Sequence, residues 1–148
     1  MTLKEKIHTD LLAAMKAKED VRLSALRMLK AAIMKFEVSG DKKIEATDEN
    51  VLQIIGKEVK QRKDSIDAYQ KGGREDLADK EKAEMKILQL YLPEQMTEEE
   101  LKTLISLTIS QTGATAKDFG KVMGTIMAQV KGKTDGQTVT RLVKEMLK

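Results

Sequence analysis

The chain has 148 residues, 41% of them hydrophobic and 34% charged, with a net charge of +3; this is an ordinary balance for one domain or two small ones. Cysteine is absent, which excludes disulfides, thiolate zinc sites and thiol catalysis. There is no apolar leader at the N-terminus and no apolar run near the ~20 residues that span a bilayer, so the expectation is a cytoplasmic protein without membrane association.

Leu, Ala, Glu, Lys and nine methionines set the local preference, because unbranched side chains lose little rotamer freedom in a helix. No stretch alternates with the period of two that a strand needs. The expected fold class is all-α, with six or seven helices. Thr2 and Glu5 form a capping box ahead of the stripe Leu3, Ile7, Leu11, Ala14 and Met15. A second helix starts near Asp20, carries Val21, Ala25, Leu29, Ala32, Ile33 and Phe36, and stops by Gly40. After a polar loop over 41–46, a third helix begins at Thr47 with Val51, Ile54, Ile55, Val59, Ile66 and Tyr69 on one side. Gly72-Gly73 ends it and a fourth helix runs from Glu75 to about Tyr91, an antiparallel neighbour across a short connection.

Pro93 marks a boundary. Beyond it, Thr97 and Glu100 cap a helix carrying Leu101, Leu104, Ile105 and Thr108, closed by Gly113. Thr115 with Asp118 opens the next, where Phe119, Val122, Met123, Ile126, Met127 and Val130 keep the 3–4 spacing. Gly132 stops that helix, and Asp135 caps a last one with Val139, Leu142, Val143 and Met146. The expectation is therefore a larger N-terminal helical domain over 1–95, built from long antiparallel hairpins, and a small three-helix domain over 96–148. The second is marginal in size by the scaling of buried area with length.

Charge is distributed unevenly. Residues 21–43 hold six basic side chains against two acidic, and 51–74 hold six against three; 75–100 hold three against nine, and 116–148 seven against three. Lys57, Lys60 and Lys63 recur every third residue and so drift slowly round one side of their helix. They form either a phosphate-contacting ridge or an ordinary solvated face. Arg62 falls inside the apolar stripe of the same helix, where a lone charge is costly, and Glu81 interrupts the stripe Leu77, Glu84, Leu88 and Tyr91 of the next. Folding about Gly72-Gly73 brings Arg62 and Glu81 level, which predicts a structural ion pair that sets register.

The stretch from Gly120 to Gly136 is the most informative. Gly120 and Gly124, one turn apart in a helix, each cost roughly 1 kcal/mol relative to alanine. Either they allow tight packing inside the small domain, or they floor a patch for a nucleic-acid backbone rimmed by Lys117, Lys121, Lys131 and Lys133. Gly132-Lys133-Thr134 is not a triphosphate-binding loop, because Met127 stands where the motif needs its first glycine and no strand precedes it. Catalytic groups are scarce. His8 is the single histidine, no serine sits in a nucleophile setting, and Glu98-Glu99-Glu100 suits a helix N-terminus. No catalytic residue, metal or cofactor is expected. The four aromatics, Phe36, Tyr69, Tyr91 and Phe119, read as core residues, so any nucleic acid would be met through backbone and shape rather than base stacking.

Four segments together resemble the YqeY-like family: LRMLKAAI (26–33), KEVKQRKDSIDAY (57–69), LYLPEQMTEEEL (90–101) and GKVMGTIM with VKGKTDG (120–136). The resemblance runs in order through essentially the whole chain. It implies a larger helical domain followed by a three-helix one, and kinship with the tail of the GatB subunit of tRNA-dependent amidotransferase. A similar module is appended to some glutaminyl-tRNA synthetases, and in the larger assemblies it grips the outer corner of tRNA. The family label extends to carbon–nitrogen ligase activity with glutamine as amido-N-donor. This chain lacks both the catalytic body of that subunit and a Ser-Lys amidase apparatus, so no residue here takes up that label. By this likeness Gly120, Lys121, Gly124, Lys131, Lys133 and Gly136 occupy the tail's motif and, with Lys117 beside them, are expected to contact tRNA.

The leading expectation is a tRNA-binding accessory linked to tRNA-dependent amidation or aminoacylation, partnered with an aminoacyl-tRNA synthetase or an amidotransferase. Its rival is a helical protein–protein adaptor without direct RNA contact, docking through its acidic middle and exposed methionines.

Overall fold

In the computed structural model, which describes residues 1–147, the helices start and stop where local capping chemistry places them. They are α1 (Leu3–Ala17), α2 (Asp20–Glu37), α3 (Asp48–Lys71), α4 (Glu75–Gln89), α5 (Glu98–Thr112), α6 (Phe119–Gln129) and α7 (Gly136–Met146), with a 3-10 turn over Ala116–Asp118 before α6. No strand occurs among the described residues. Thr2 accepts the Glu5 N–H at 3.1 Å while the Glu5 carboxylate accepts the Thr2 N–H at 2.8 Å, satisfying two orphan donors reciprocally. At α3 the same exchange is made by Thr47 and Asn50. Thr97 accepts the Glu100 N–H at the start of α5. Gly73 and Gly113 take the left-handed conformation, with φ of 72° and 65°, which a side chain would strain. Lys18 adopts it too, at φ 55°, so the α1–α2 turn stores roughly 1 kcal/mol of backbone strain.

The chain forms two compact units, Met1–Leu92 and Pro93–Lys148. In the first, α3 packs along α4, and α2 lies against both. Ile7, Leu11 and Ala14 of α1, Leu26, Leu29 and Ile33 of α2, Val51, Ile55 and Val59 of α3, and Leu88 of α4 make one core. Each of these larger side chains contributes about 1.5–3 kcal/mol by leaving water. Met15 and Val21, expected on the apolar stripes, are exposed; both flank the Lys18 turn, at the edge of the helix pair.

Three charged groups are buried in this unit: Glu37, Arg62 and Glu84. Glu37 ends α2, and its carboxylate accepts from Lys4 Nζ at 2.6 Å and from the Ala46 N–H at 2.9 Å, pinning the loop over 38–46. The Lys4 ammonium, and next the Ala46 N–H, hold that carboxyl below the usual glutamate range. Arg62 donates to the Glu58 carboxylate at 3.0 Å and lies 3.6 Å from Glu84 and 4.0 Å from Glu81. The expected partner Glu81 thus stands at the margin, and Glu84, a turn further along, occupies the buried place. Ser24 of α2 donates to the other Glu84 oxygen at 3.1 Å. Tyr91 donates to Asp10 at 2.5 Å, tying the end of α4 to α1; burial and this bond push its phenol well above the ordinary value.

The second unit buries Leu101 and Ile105 of α5, Val122, Ile126 and Val130 of α6 and its end, and Val139, Leu142, Val143 and Leu147 of α7 and its end. Arg141 of α7 pairs with Glu98 at the start of α5 and with Glu145 on its own helix.

Candidate nucleic-acid interface

Burying Val122, Ile126 and Val130 fixes which side of α6 faces outward. That side carries Gly120, Lys121, Gly124, Thr125 and Ala128, all exposed. A Cβ built at Gly120 or Gly124 meets no atom within 4 Å. Tight packing inside the small domain therefore does not explain these glycines. They leave a low floor, continued by Ala128 one turn on, with Lys117 and Lys121 one turn apart beside it. The Thr125 hydroxyl donates back to the Lys121 carbonyl at 3.0 Å, so it too is turned onto its own helix.

Beyond the C-terminus of α6, Gly132 at φ 73° reverses the chain, and the Lys133 N–H donates to the Val130 carbonyl at 2.8 Å. This turn is held from outside. The Gly132 carbonyl accepts from the Gln95 side-chain amide at 2.7 Å, and that amide also donates to the Pro93 carbonyl at 2.9 Å. The Lys133 carbonyl accepts the Met96 N–H at 2.9 Å. The lysine side chains at 131 and 133 are exposed. Asp135 caps α7 by accepting the Thr138 N–H at 2.8 Å. Gly136 opens that helix, where a Cβ would make only ordinary contact with Met127. Gln95 and Met96 were not singled out from the sequence, although they lie in the Leu90–Leu101 segment; a glutamine two residues after the lone proline is the signal available.

Basic side chains outnumber acidic ones on this surface, where Asp118 and Asp135 are taken up as caps. Helix α6 has no acidic residue, and the Arg141 charge is taken up by Glu98 and Glu145. Among the described residues Lys117, Lys121 and Lys133 have no carboxylate within 4 Å. Such a surface can hold a polyanion, and it presents no nucleophile–base pair. In the first unit, Lys57 and Lys63 are exposed and Lys60 is half-buried on α3. His8 is exposed on α1, its Nδ1 3.4 Å from Lys30 Nζ. The four aromatics are half-buried, and among the described residues no group of His, Asp or Glu could hold a metal ion.

These features define an all-helical protein whose small second unit exposes a glycine-floored basic helix. The Yqey-like protein family model matches residues 4–147, and the chain belongs to that family. Among its relatives is "Altered inheritance of mitochondria protein 41, mitochondrial" of Pyrenophora tritici-repentis, 30% identical over 145 residues that cover 96% of this chain and 79% of that protein. The protein of the same name from Vanderwaltozyma polyspora is 35% identical over 136 residues, 89% of this chain and 69% of the relative. That of Saccharomyces cerevisiae is 30% identical over 123 residues, 79% and 66%.

These names correct the cytoplasmic location expected above, since the relatives are designated mitochondrial. That expectation rested on the lack of an apolar leader, and mitochondrial leaders are amphipathic and arginine-rich rather than apolar. No helix among the described residues is long and apolar enough to cross a membrane, which says nothing about compartment.

Proposed function

We propose that this chain is an RNA-binding accessory that meets the backbone of folded tRNA on the outer face of α6, in support of tRNA-dependent amidation or aminoacylation. The observation that carries this reading is the exposure of Gly120 and Gly124, with open space where their Cβ atoms would be. Gly124, inside α6, costs about 1 kcal/mol relative to alanine, and Gly120, in the first turn, adds to that. Nothing among the described residues requires them, whereas a ligand backbone coming close to the helix does. Lys117, Lys121 and Lys133 supply charge for phosphates, and the half-buried aromatics favour contact with backbone over stacked bases. Carbon–nitrogen ligase chemistry is left to a partner enzyme, because this chain offers only binding groups on that surface.

Filter binding of unfractionated tRNA across a salt series tests the reading. Affinity should fall steeply with salt, by roughly 0.7–0.9 in log–log slope per phosphate contact. Lys121→Glu with Lys133→Glu should weaken binding about tenfold or more while the helical circular dichroism stays unchanged. No binding at about 50 mM salt, or a flat slope, would sink the proposal. A second reading, a protein adaptor, is favoured by the exposed Met28, Met34 and Val38 of α2 and its end, since methionine-rich surfaces repack around partners. It predicts loss of partner binding on Met28→Ser with Met34→Ser and no change in tRNA affinity.

A further inference from the structure

We infer that the first unit carries an RNA contact of its own on the outer side of α3, where Gly56 opens a gap beside Lys60 and Lys63 that seats a phosphate backbone. This rests on the RNA reading above and adds a separately testable surface to it.

Gly56 lies well inside a 24-residue helix, where glycine is the least favoured residue after proline. Two reasons ordinarily keep a glycine in such a place: a left-handed φ, or another element pressed against the backbone. Gly56 has neither. Its φ is not positive, and a Cβ built on it meets nothing within 4 Å. Gln53, Lys60 and Lys63 stand three residues before, four after and seven after it, so they share its side of the helix.

The lysines there are left unneutralised by the way the helix spends its acids. Glu58 is drawn to Arg62 at 3.0 Å, toward the core. Among the described residues Lys57, Lys60 and Lys63 have no carboxylate within 4 Å. Asp64 and Asp67 stand four residues after Lys60 and Lys63 on that side without pairing to them within 4 Å, and they close the far end of the basic stretch, which confines the contact to Gln53–Lys63. The apolar side chain nearest Gly56 on this side is Leu52, half-buried one turn before it, a small anchor where protein interfaces draw most of their affinity from large ones. A phosphate backbone needs only close approach and positive charge. The pairing of an open helical glycine with unpaired lysines is also what α6 displays.

The test uses the full-length chain and unfractionated tRNA, with affinity measured by fluorescence anisotropy over a salt series. Lys60→Gln with Lys63→Gln should lower the log–log salt slope by about 1.4–1.8, two contacts' worth, and weaken binding about tenfold or more at low salt. Gly56→Ala should weaken binding several-fold while raising the thermal midpoint, a combination that a purely structural glycine would not give. If the α3 lysine variant keeps wild-type affinity, or loses affinity with an unchanged slope, the α3 contact is overturned. In that event Lys121→Gln with Lys133→Gln still lowers both quantities if the α6 reading stands. Failure of the wild-type chain to bind tRNA overturns both.

Discussion

Arg62, on the seam of α3 and α4, is 4% exposed and has Glu58, Glu81 and Glu84 within 4 Å, whereas Lys117, Lys121 and Lys133 stand in water with no carboxylate that close among the described residues. The two regions use positive charge for different ends. Inside the first unit, a cation that has lost its hydration is tolerable only because carboxylates surround it. Around α6 the lysines keep their hydration, and glycine weakens the helix instead. Partnered charge fixes a register, and unpartnered charge stays open to solvent.

Breaking the buried side of this comparison should give the largest effect. Arg62→Leu leaves Glu84, 3% exposed, without its cation and should cost roughly 3–5 kcal/mol in urea unfolding. Combining it with Glu84→Leu should recover a large part of that loss, which a double-mutant cycle measures. The α6 side should respond in the opposite direction. Gly120→Ala and Gly124→Ala should each stabilise the protein by up to about 1 kcal/mol, because their Cβ atoms enter open space, while both weaken tRNA binding. A loss of stability on either change would mean that the floor serves internal packing.

The smallest effect sharpens the comparison through pH. Glu37 has a folded pKa below its unfolded one because Lys4 and the Ala46 N–H favour the carboxylate, so its stabilisation is present above the unfolded value. Glu37→Gln should lower the urea midpoint at pH 7. The gap to wild type should hold down to the ordinary glutamate pKa of about 4.3 and close as pH falls further, through the lowered folded value. A gap that widens in acid would contradict the Lys4 pairing.

Helix ends and apolar stripes were legible in the sequence because they follow from contacts three or four residues apart. Thr2 with Glu5, Gly113 after α5, and the Val122–Ile126–Val130 stripe all behave that way. What required the structure depends on distant partners. Glu84 reads from spacing as a member of an apolar stripe, and only the α3–α4 register makes it, rather than Glu81, the buried partner of Arg62. Glu37 gives no local sign of burial, since its partners come from residues 4 and 46. A glycine pair four apart serves close packing or open approach equally well in sequence; that the surroundings of Gly120 and Gly124 are empty is seen only in the structure.

One amide has a larger effect than its size implies. By donating to both the Pro93 and Gly132 carbonyls, Gln95 restrains the backbone beneath Lys133. The conformational entropy of that loop is thus lost before any ligand arrives, and binding has less disorder left to remove. Gln95→Ala should therefore slow association or speed release without removing a single positive charge.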